Sequence, residues 1–315
     1  MINTVSGPIS PDRLGITLMH EHMVMGPSGW DSDVHIYGKD IIKLADTVVT
    51  ALLEAGSYGV KTVVDASPYD LGRSIELDKI VADKTGINIV VATGMYMQPH
   101  DIPPSKNEKD IIDQYYQRFM RELTIGIGDT GVKAGIIKVS TSRKRIYPLE
   151  EAVLKAAAHA SHDSGAPIIT HTEDGTMGPQ QANVLIQNGA VPGKVVIGHA
   201  CGNANLEYHV EILEKDVYLG FDRWGVGIIY PDVMRKATII GLLGIGFADH
   251  IVLSHDHISE WVGQRPQLPP FIKPLMSNWS YAHIFKNIIP QLKEAGITDD
   301  QVNTMLVENP RRIFQ

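Results

Sequence analysis

The residues best suited to chemistry in this chain are His20 and His22, one position apart at the end of Gly15-Ile-Thr-Leu-Met-His-Glu-His22. The apolar run before them reads as a buried strand. Successive strand side chains point to opposite faces, so His20 and His22 share one face and Glu21 looks to the other. Two neutral imidazoles side by side make half of a metal site. Lys138, His171, His199 and Asp256 are the candidates for the other half. A lysine inside Gly135-Ile-Ile-Lys-Val139 is costly as an unpaired buried cation. One chemical escape is reaction of the neutral amine with carbon dioxide, giving an anionic carbamate whose two oxygens can bridge two cations.

The elements that must carry these residues alternate along the chain. Short β-branched runs are separated by longer amphipathic segments, which points to a parallel sheet with crossover helices. After the first strand, a helix is expected over 40–58, then strands over 61–65, 88–94 and 135–139 with helices over 74–84 and 110–123 between them. Pro148 suits the first position of a helix running to His162, with Glu150 and Glu151 in its first turn. Strands follow at 167–171, 194–199, 217–222 and 250–256, with helices near 178–189, 205–215 and 231–246. A last helical pair spans 281–295 and 298–307, the second opened by a Thr298-to-Gln301 capping box. Eight strands with helices between them fit a (β/α)8 TIM barrel, read as a single domain over 1–315 with a long loop 8 over about 257–280.

This fold gives the ligand candidates their meaning. His20 and His22 end strand one, Lys138 lies in strand four, and His171, His199 and Asp256 end strands five, six and eight. The C-terminal ends of barrel strands converge on one face, where active sites are built. Each residue also has a plainer reading: a strand-end histidine often hydrogen-bonds in the core, and Asp256 alone would serve as a helix cap. Their joint placement is harder to explain that way. The other nine histidines read mostly as surface or helix residues, with His255 and His257 flanking Asp256 and facing away from the barrel axis. Cys201 reads as a small packing residue near the mouth.

Composition bounds the setting. With 315 residues the core needs no staples, and a single cysteine allows no internal disulfide, which suits a reducing, cytoplasmic compartment. The first residues show neither a basic segment nor an apolar run, so no signal peptide is expected. No apolar stretch is long enough to cross a bilayer. A net charge of -8 with scattered Lys and Arg argues against nucleic acid and anionic membranes as partners.

Together these motifs resemble the amidohydrolase superfamily and, within it, the phosphotriesterase family, more narrowly the phosphotriesterase-like lactonases. The stretches that carry the likeness are Gly-Ile-Thr-Leu-Met-His-Glu-His, Gly-Ile-Ile-Lys-Val-Ser-Thr, Gly-His-Ala-Cys-Gly-Asn, Leu-Gly-Phe-Asp-Arg-Trp-Gly, Leu-Ser-His-Asp-His and Val-Glu-Asn-Pro-Arg-Arg-Ile-Phe. The resemblance implies a binuclear centre. His20, His22 and Asp256 would hold the more buried metal, His171 and His199 the more exposed one, with carboxylated Lys138 and a hydroxide bridging them. It implies two divalent ions per chain, zinc first, with cobalt, iron, manganese or nickel also accepted by imidazole and carboxylate. It places Tyr96 and Arg223 beside the centre to orient an ester, gives Asp256 the released proton, and implies a homodimer.

The expected function is hydrolysis of lactones, N-acyl-homoserine lactones among them, with side activity on organophosphate triesters. Substrate choice should lie in the loops after strands seven and eight, where Trp224, Trp261, Leu268, Phe271 and Met276 would line an apolar channel; packing onto the barrel or a partner subunit is the other reading. An amidase or phosphodiesterase on the same centre, and a non-catalytic metal-binding barrel, are the alternatives. The intact ligand set argues against the last, since a structural zinc site closes with four ligands.

Overall fold

In the computed structural model, which describes residues 1–26, 41–97, 107–263, 267 and 269–315, the β-branched runs pair edge to edge in chain order. β1 (Ile2–Thr4) and β2 (Gly7–Ile9) form a small antiparallel hairpin. The barrel strands follow: β3 (Ile16–Met25), β4 (Val60–Asp65), β5 (Asn88–Gly94), β6 (Ile136–Thr141), β7 (Ile168–Thr172), β8 (Val195–Ile197), β9 (Tyr218–Phe221) and β10 (Ile251–Leu253). Neighbours pair in parallel, and β11 (Ile258–Trp261) adds to the far end of β3. Beyond β10 the chain closes the ring, with Asp256 N–H donating to His20 O at 3.0 Å and His22 N–H to His257 O at 2.9 Å. This is the (β/α)8 barrel expected from the alternation.

Among the described residues, seven crossover helices cover the strands: α1 (Ile41–Ser57), α2 (Ile75–Thr85), α3 (Glu108–Thr124), α4 (Pro148–Ser164), α5 (Gly178–Gln187), α6 (Leu206–Leu213) and α7 (Asp232–Gly244). Their ends follow from sequence chemistry. The Ser74 hydroxyl accepts Leu77 N–H at the start of α2, and Gly86 stops it in the left-handed conformation. Three short helices, α8 (Ile289–Glu294), α9 (Asp299–Asn303) and α10 (Asn309–Phe314), end the chain. The Thr298–Gln301 capping box is present. The two long final helices expected from periodicity are instead interrupted by widened turns at Ile284–Ile288 and Thr304–Glu308. Pro290 and Pro310 follow those turns; proline has no N–H for the carbonyl four residues back and crowds it, so the preceding turn opens.

The interior is layered. Met19, Val64, Val90, Ile136, Ile169, Val196 and Val252 fill the barrel, and Leu14, Ile313 and Phe314 pack with them. The outward faces of the strands pack on the helices through residues such as Leu18, Val63, Ile137 and Leu219. Lys138 lies two residues beyond Ile136 and His171 two beyond Ile169, so both continue inward rows. β3 does not end at His22 as expected but runs on to Met25. A register shift between Leu18 and Glu21 puts three residue steps of β3 against two of β4. Such a bulge lets Met19 and His20 both face inward, and Glu21 outward.

His35, His100, Leu268 and the expected helix start at Asp40 lie outside the described residues.

Candidate metal centre

The barrel brings His20, His22, Lys138, His171, His199 and Asp256 together at one end of a cavity of about 770 Å³. His199 and Asp256 are not strand residues, as expected, but stand just past β8 and β10 with φ of 58° and 52°. Both non-glycine residues are in the left-handed region, a conformation the surroundings must impose.

The imidazoles are gripped from behind. Asp222 Oδ2 accepts His20 Nδ1–H at 2.8 Å, and Asp222 Oδ1 accepts His199 Nδ1–H at 2.9 Å and His199 N–H at 2.9 Å. His22 Nδ1–H donates to Ser67 Oγ at 2.8 Å, whose own proton points at Val24 O. With each Nδ1 carrying the proton, the Nε2 atoms present lone pairs. They converge on Asp256: Oδ1 is 3.1 Å from His22 Nε2 and 3.6 Å from His20 Nε2, and Oδ2 is 3.8 Å from His199 Nε2. Lys138 Nζ is 2.5 Å from His20 Nε2.

Two of these imidazoles are held back from protonation. Burial, with Lys138 adding, pushes His20 down to about 4; burial and Arg223 hold His199 well below its ordinary value. Burial opposes ionisation of Asp256, but His199, Arg223 and His22 outweigh it and keep its carboxyl well below the usual range. Three imidazole nitrogens within 3.1 to 3.8 Å of the two oxygens of one carboxylate make a donor set for a cation. The donor set therefore fits a divalent cation, with the rear hydrogen bonds that ligating histidines ordinarily make. Two groups among the described residues have ligand atoms close enough to share an ion, His20–His22–Asp256 and His20–His199–Asp222. In the second, Asp222 meets the Nδ1 edges of both rings, away from the lone pairs, so it orients them instead.

His171 behaves differently. Its Nε2 is 2.7 Å from Glu173 Oε2, not turned toward Asp256, although its ring touches those of His199 and Tyr96. Burial brings it down to about 4, with Glu173 opposing. Lys138 is also lowered, to about 8, by burial against the pull of Asp256 and Asp222. Arg223 Nε donates to Asp256 Oδ2 at 2.8 Å inside the cavity. Tyr96 lines the same cavity, and its N–H donates to both oxygens of Asp70, at 3.1 and 3.0 Å.

Most apolar residues of the cavity, Val226, Ile228, Ile229, Ile258, Trp261, Met276 and Trp279, follow β9 and β10, and Met25 of β3 and Leu71 after β4 complete the lining. Trp224 is not among them. Arg223 faces the cavity, but the turn after β9 carries the next residue away, and Trp224 is fully buried in the outer core near Phe221. Phe271 is also off the cavity and 74% exposed. It sits on the short Pro270–Met276 helix, which turns Lys273 and Met276 inward and leaves Phe271 outside. Cys201 is buried in the core and takes no part in the site.

Of the histidines read mostly as surface or helix residues, or as facing away from the axis, His209, His255 and His283 are buried. His209 bridges Asn205 O and Ala200 O, His255 meets Glu21, and His283 meets Asp232. His257 lines the cavity. Asp222, Ser67 and Glu173 were not singled out from sequence. A signal for Asp222 existed in Gly198 and Gly220: a Cβ on Gly220 would stand 2.6 Å from Asp222 Oδ2, and one on Gly198 3.2 Å from it. Both glycines leave room for a carboxylate inside the barrel.

Comparison with known proteins agrees with this geometry. The family model for the phosphotriesterase family matches residues 1–314. A phosphotriesterase homology protein of Mycobacterium tuberculosis is 38% identical over 100% of this chain and 97% of its own length. An aryldialkylphosphatase of Saccharolobus solfataricus is 33% identical over 97% and 96%. A phosphotriesterase-like lactonase of Deinococcus radiodurans, in a solved mutant structure, superposes with a TM-score of 0.94 at 37% identity over the full length of both chains.

Proposed function

We propose a function from the premise that this chain belongs to the phosphotriesterase family, as its whole length shows. It is thereby a metal-dependent hydrolase acting on ester bonds of small molecules. Within that class our reading is a lactonase with promiscuous activity on organophosphate triesters, N-acyl-homoserine lactones being one substrate class. We assign it two divalent ions, zinc first, and an N6-carboxylated Lys138. The lactonase reading is supported by the Deinococcus neighbour and by a cavity whose polar end holds the candidate ligands while its loops are apolar. The observation that carries it is the set of Nε2 lone pairs turned on the Asp256 carboxylate beside the Lys138 amine.

When bound, the metal pair would supply Lewis acidity and a nucleophilic water at neutral pH. His20, His22 and Asp256 would hold one ion and His171 and His199 the other, the latter requiring His171 Nε2 to leave Glu173. Lys138 near 8 keeps a share of neutral amine at neutral pH, the form that adds carbon dioxide. Arg223, fixed by Asp256, and Tyr96 border the space where an ester would lie, and orient its oxygens. Asp256, held ionised, accepts at its carboxylate the proton released during attack. Trp261, Met276 and Trp279 take up the apolar part of the substrate and exclude water. We further take 1–315 as one domain, a homodimer by family likeness, in a cytoplasmic setting. No described helix is long and apolar enough to cross a membrane.

The test is metal content together with hydrolysis of a panel of lactones, amides and phosphate esters, with native protein and Lys138→Ala side by side. The reading expects about two metals per chain, preference for lactones, and loss of both activity and one metal in the variant. One metal or none in the native protein, or activity indifferent to Lys138, overturns it.

A further inference from the structure

Glu21 sits between the two histidines of β3 and faces away from them, yet it is fully buried. A buried carboxylate needs partners, and those it has come from one short segment. Glu21 Oε1 accepts the Ser254 hydroxyl at 2.8 Å, His255 N–H at 2.9 Å and His255 Nδ1–H at 2.8 Å; Glu21 Oε2 accepts His257 N–H at 2.8 Å. The residue these contacts bracket is Asp256. Its backbone is left-handed, with φ 52°, and its N–H donates to His20 O at 3.0 Å. Such a conformation persists where the flanking residues are fixed on both sides.

The same carboxylate reaches further through two relays. Ser254 Oγ, while donating to Glu21, accepts the His20 N–H at 2.9 Å. His255 Nε2 accepts Ile284 N–H at 3.1 Å, which fixes the proton on Nδ1 toward Glu21 and ties in the widened turn before α8. Burial pushes the Glu21 carboxyl upward, and the donors from residues 254, 255 and 257 act against it.

We propose that Glu21 is a positioning residue for the metal centre: by gripping both neighbours of Asp256 and, through Ser254, the backbone of His20, it sets the distance between the Asp256 carboxylate and the imidazoles. This rests on the reading that Asp256, His20 and His22 hold a cation. Without the grip, the left-handed residue relaxes and its oxygens leave the lone pairs of His20 and His22. Glu21→Gln tests it, because an amide in the same place turns an NH2 toward one of the N–H donors and breaks the bracket while keeping the volume.

The measurement is retention of zinc by native protein, Glu21→Gln, Ser254→Ala and Glu122→Gln, by competition against a calibrated chelator, with melting temperatures of the metal-free forms alongside. Glu122 is another buried carboxylate, bonded to Arg73 and not to these ligands, and reports what a merely structural loss does. Zinc affinity about 10–100-fold lower in Glu21→Gln is expected, as for loss of an outer partner of a ligand. Ser254→Ala should weaken zinc binding by a smaller factor, and Glu122→Gln should melt earlier with native zinc affinity. Native affinity in both Glu21→Gln and Ser254→Ala overturns the proposal. Should Glu21→Gln fail to fold, Ser254→Ala decides alone. Absence of zinc binding by the native protein overturns instead the reading of the site on which the proposal stands.

Discussion

Asp222 Oδ2 stands 2.8 Å from His20 Nδ1, on the side of the ring that faces away from the cavity. Its other oxygen holds the His199 ring and backbone, so one buried carboxylate sets the tautomer of two imidazoles. Replacing it by Asn turns an amide NH2 toward one of those Nδ1–H groups, and that ring must rotate or shift its proton to Nε2, losing the lone pair. Asp222→Asn is expected to weaken metal binding by about 10–100-fold. Chelator competition on the purified variant measures it, and an affinity within two-fold of native would show that Asp222 does not orient these rings.

The same carboxylate shows how far the sequence could be read. The period of two along β3, β6 and β7 put His20, His22, Lys138 and His171 on the inward face, and the structure has them there. Periodicity stops where strands stop. His199 and Asp256 lie past the strand ends in left-handed backbone, where the direction of a side chain depends on neighbours distant in sequence such as Asp222 and Arg223. Ser67 joins the site through a contact with His22 distant in sequence, while Glu173 pairs with His171 only two residues before it. Trp224 failed in the same way, past a strand end: nearness to Arg223 suggested the cavity, whereas the turn after β9 carries it into the core. The mixed π-helical ends near Pro290 and Pro310 were legible in principle, since both prolines break the backbone ladder.

Arg223 supplies the next test. Its Nε–Asp256 contact of 2.8 Å places a planar cation beside the candidate metals. Lysine cannot reproduce that fork. Arg223→Lys is expected to keep metal content while lowering lactone kcat/KM by about 100-fold, the scale for loss of one preorganised donor. Steady-state kinetics with metal analysis checks it; loss of metal in step with activity would mean that Arg223 serves chiefly to hold Asp256.

Outside the cavity lining, Arg73 and Glu122 form a buried bidentate pair at 2.7 and 3.2 Å, and Arg73 also donates to Ala92 O. Burial works against ionising Glu122, but Arg73 outweighs it and holds the carboxyl below its ordinary value. A carboxyl lowered in the folded state stabilises that state above the ordinary glutamate pKa and ceases to do so as pH falls through the lowered one. Arg73→Met leaves the carboxylate only Arg118, 3.6 Å from its Oε1, and should cost about 3 kcal/mol at neutral pH, the lower end for a broken buried pair. The carboxyl then binds a proton more readily, so the gap between native and variant should narrow toward pH 4. Urea unfolding at both pH values checks the size and the sign; a gap that widens on acidification refutes the assignment.

Trp261 and Phe271 separate the cavity from its surroundings. Trp261 lines it from β11, the strand that extends β3, while Phe271 projects outside from the helical turn that offers Met276 to the same space. If the apolar loops receive an acyl chain, removing the Trp261 ring takes away contact area that grows with the length of that chain, and each lost methylene contact is worth about 0.8 kcal/mol when fully buried. Trp261→Ala should therefore raise KM for long-chain lactones well above its effect on unsubstituted ones, with kcat little changed, because the contact is equal in ground and transition states. Phe271→Ala should leave both constants within about two-fold, as surface positions away from a site generally do. A chain-length series on the two variants decides between a channel and a merely packed loop: equal loss for short and long substrates in Trp261→Ala would assign that tryptophan to holding loop 8 in place.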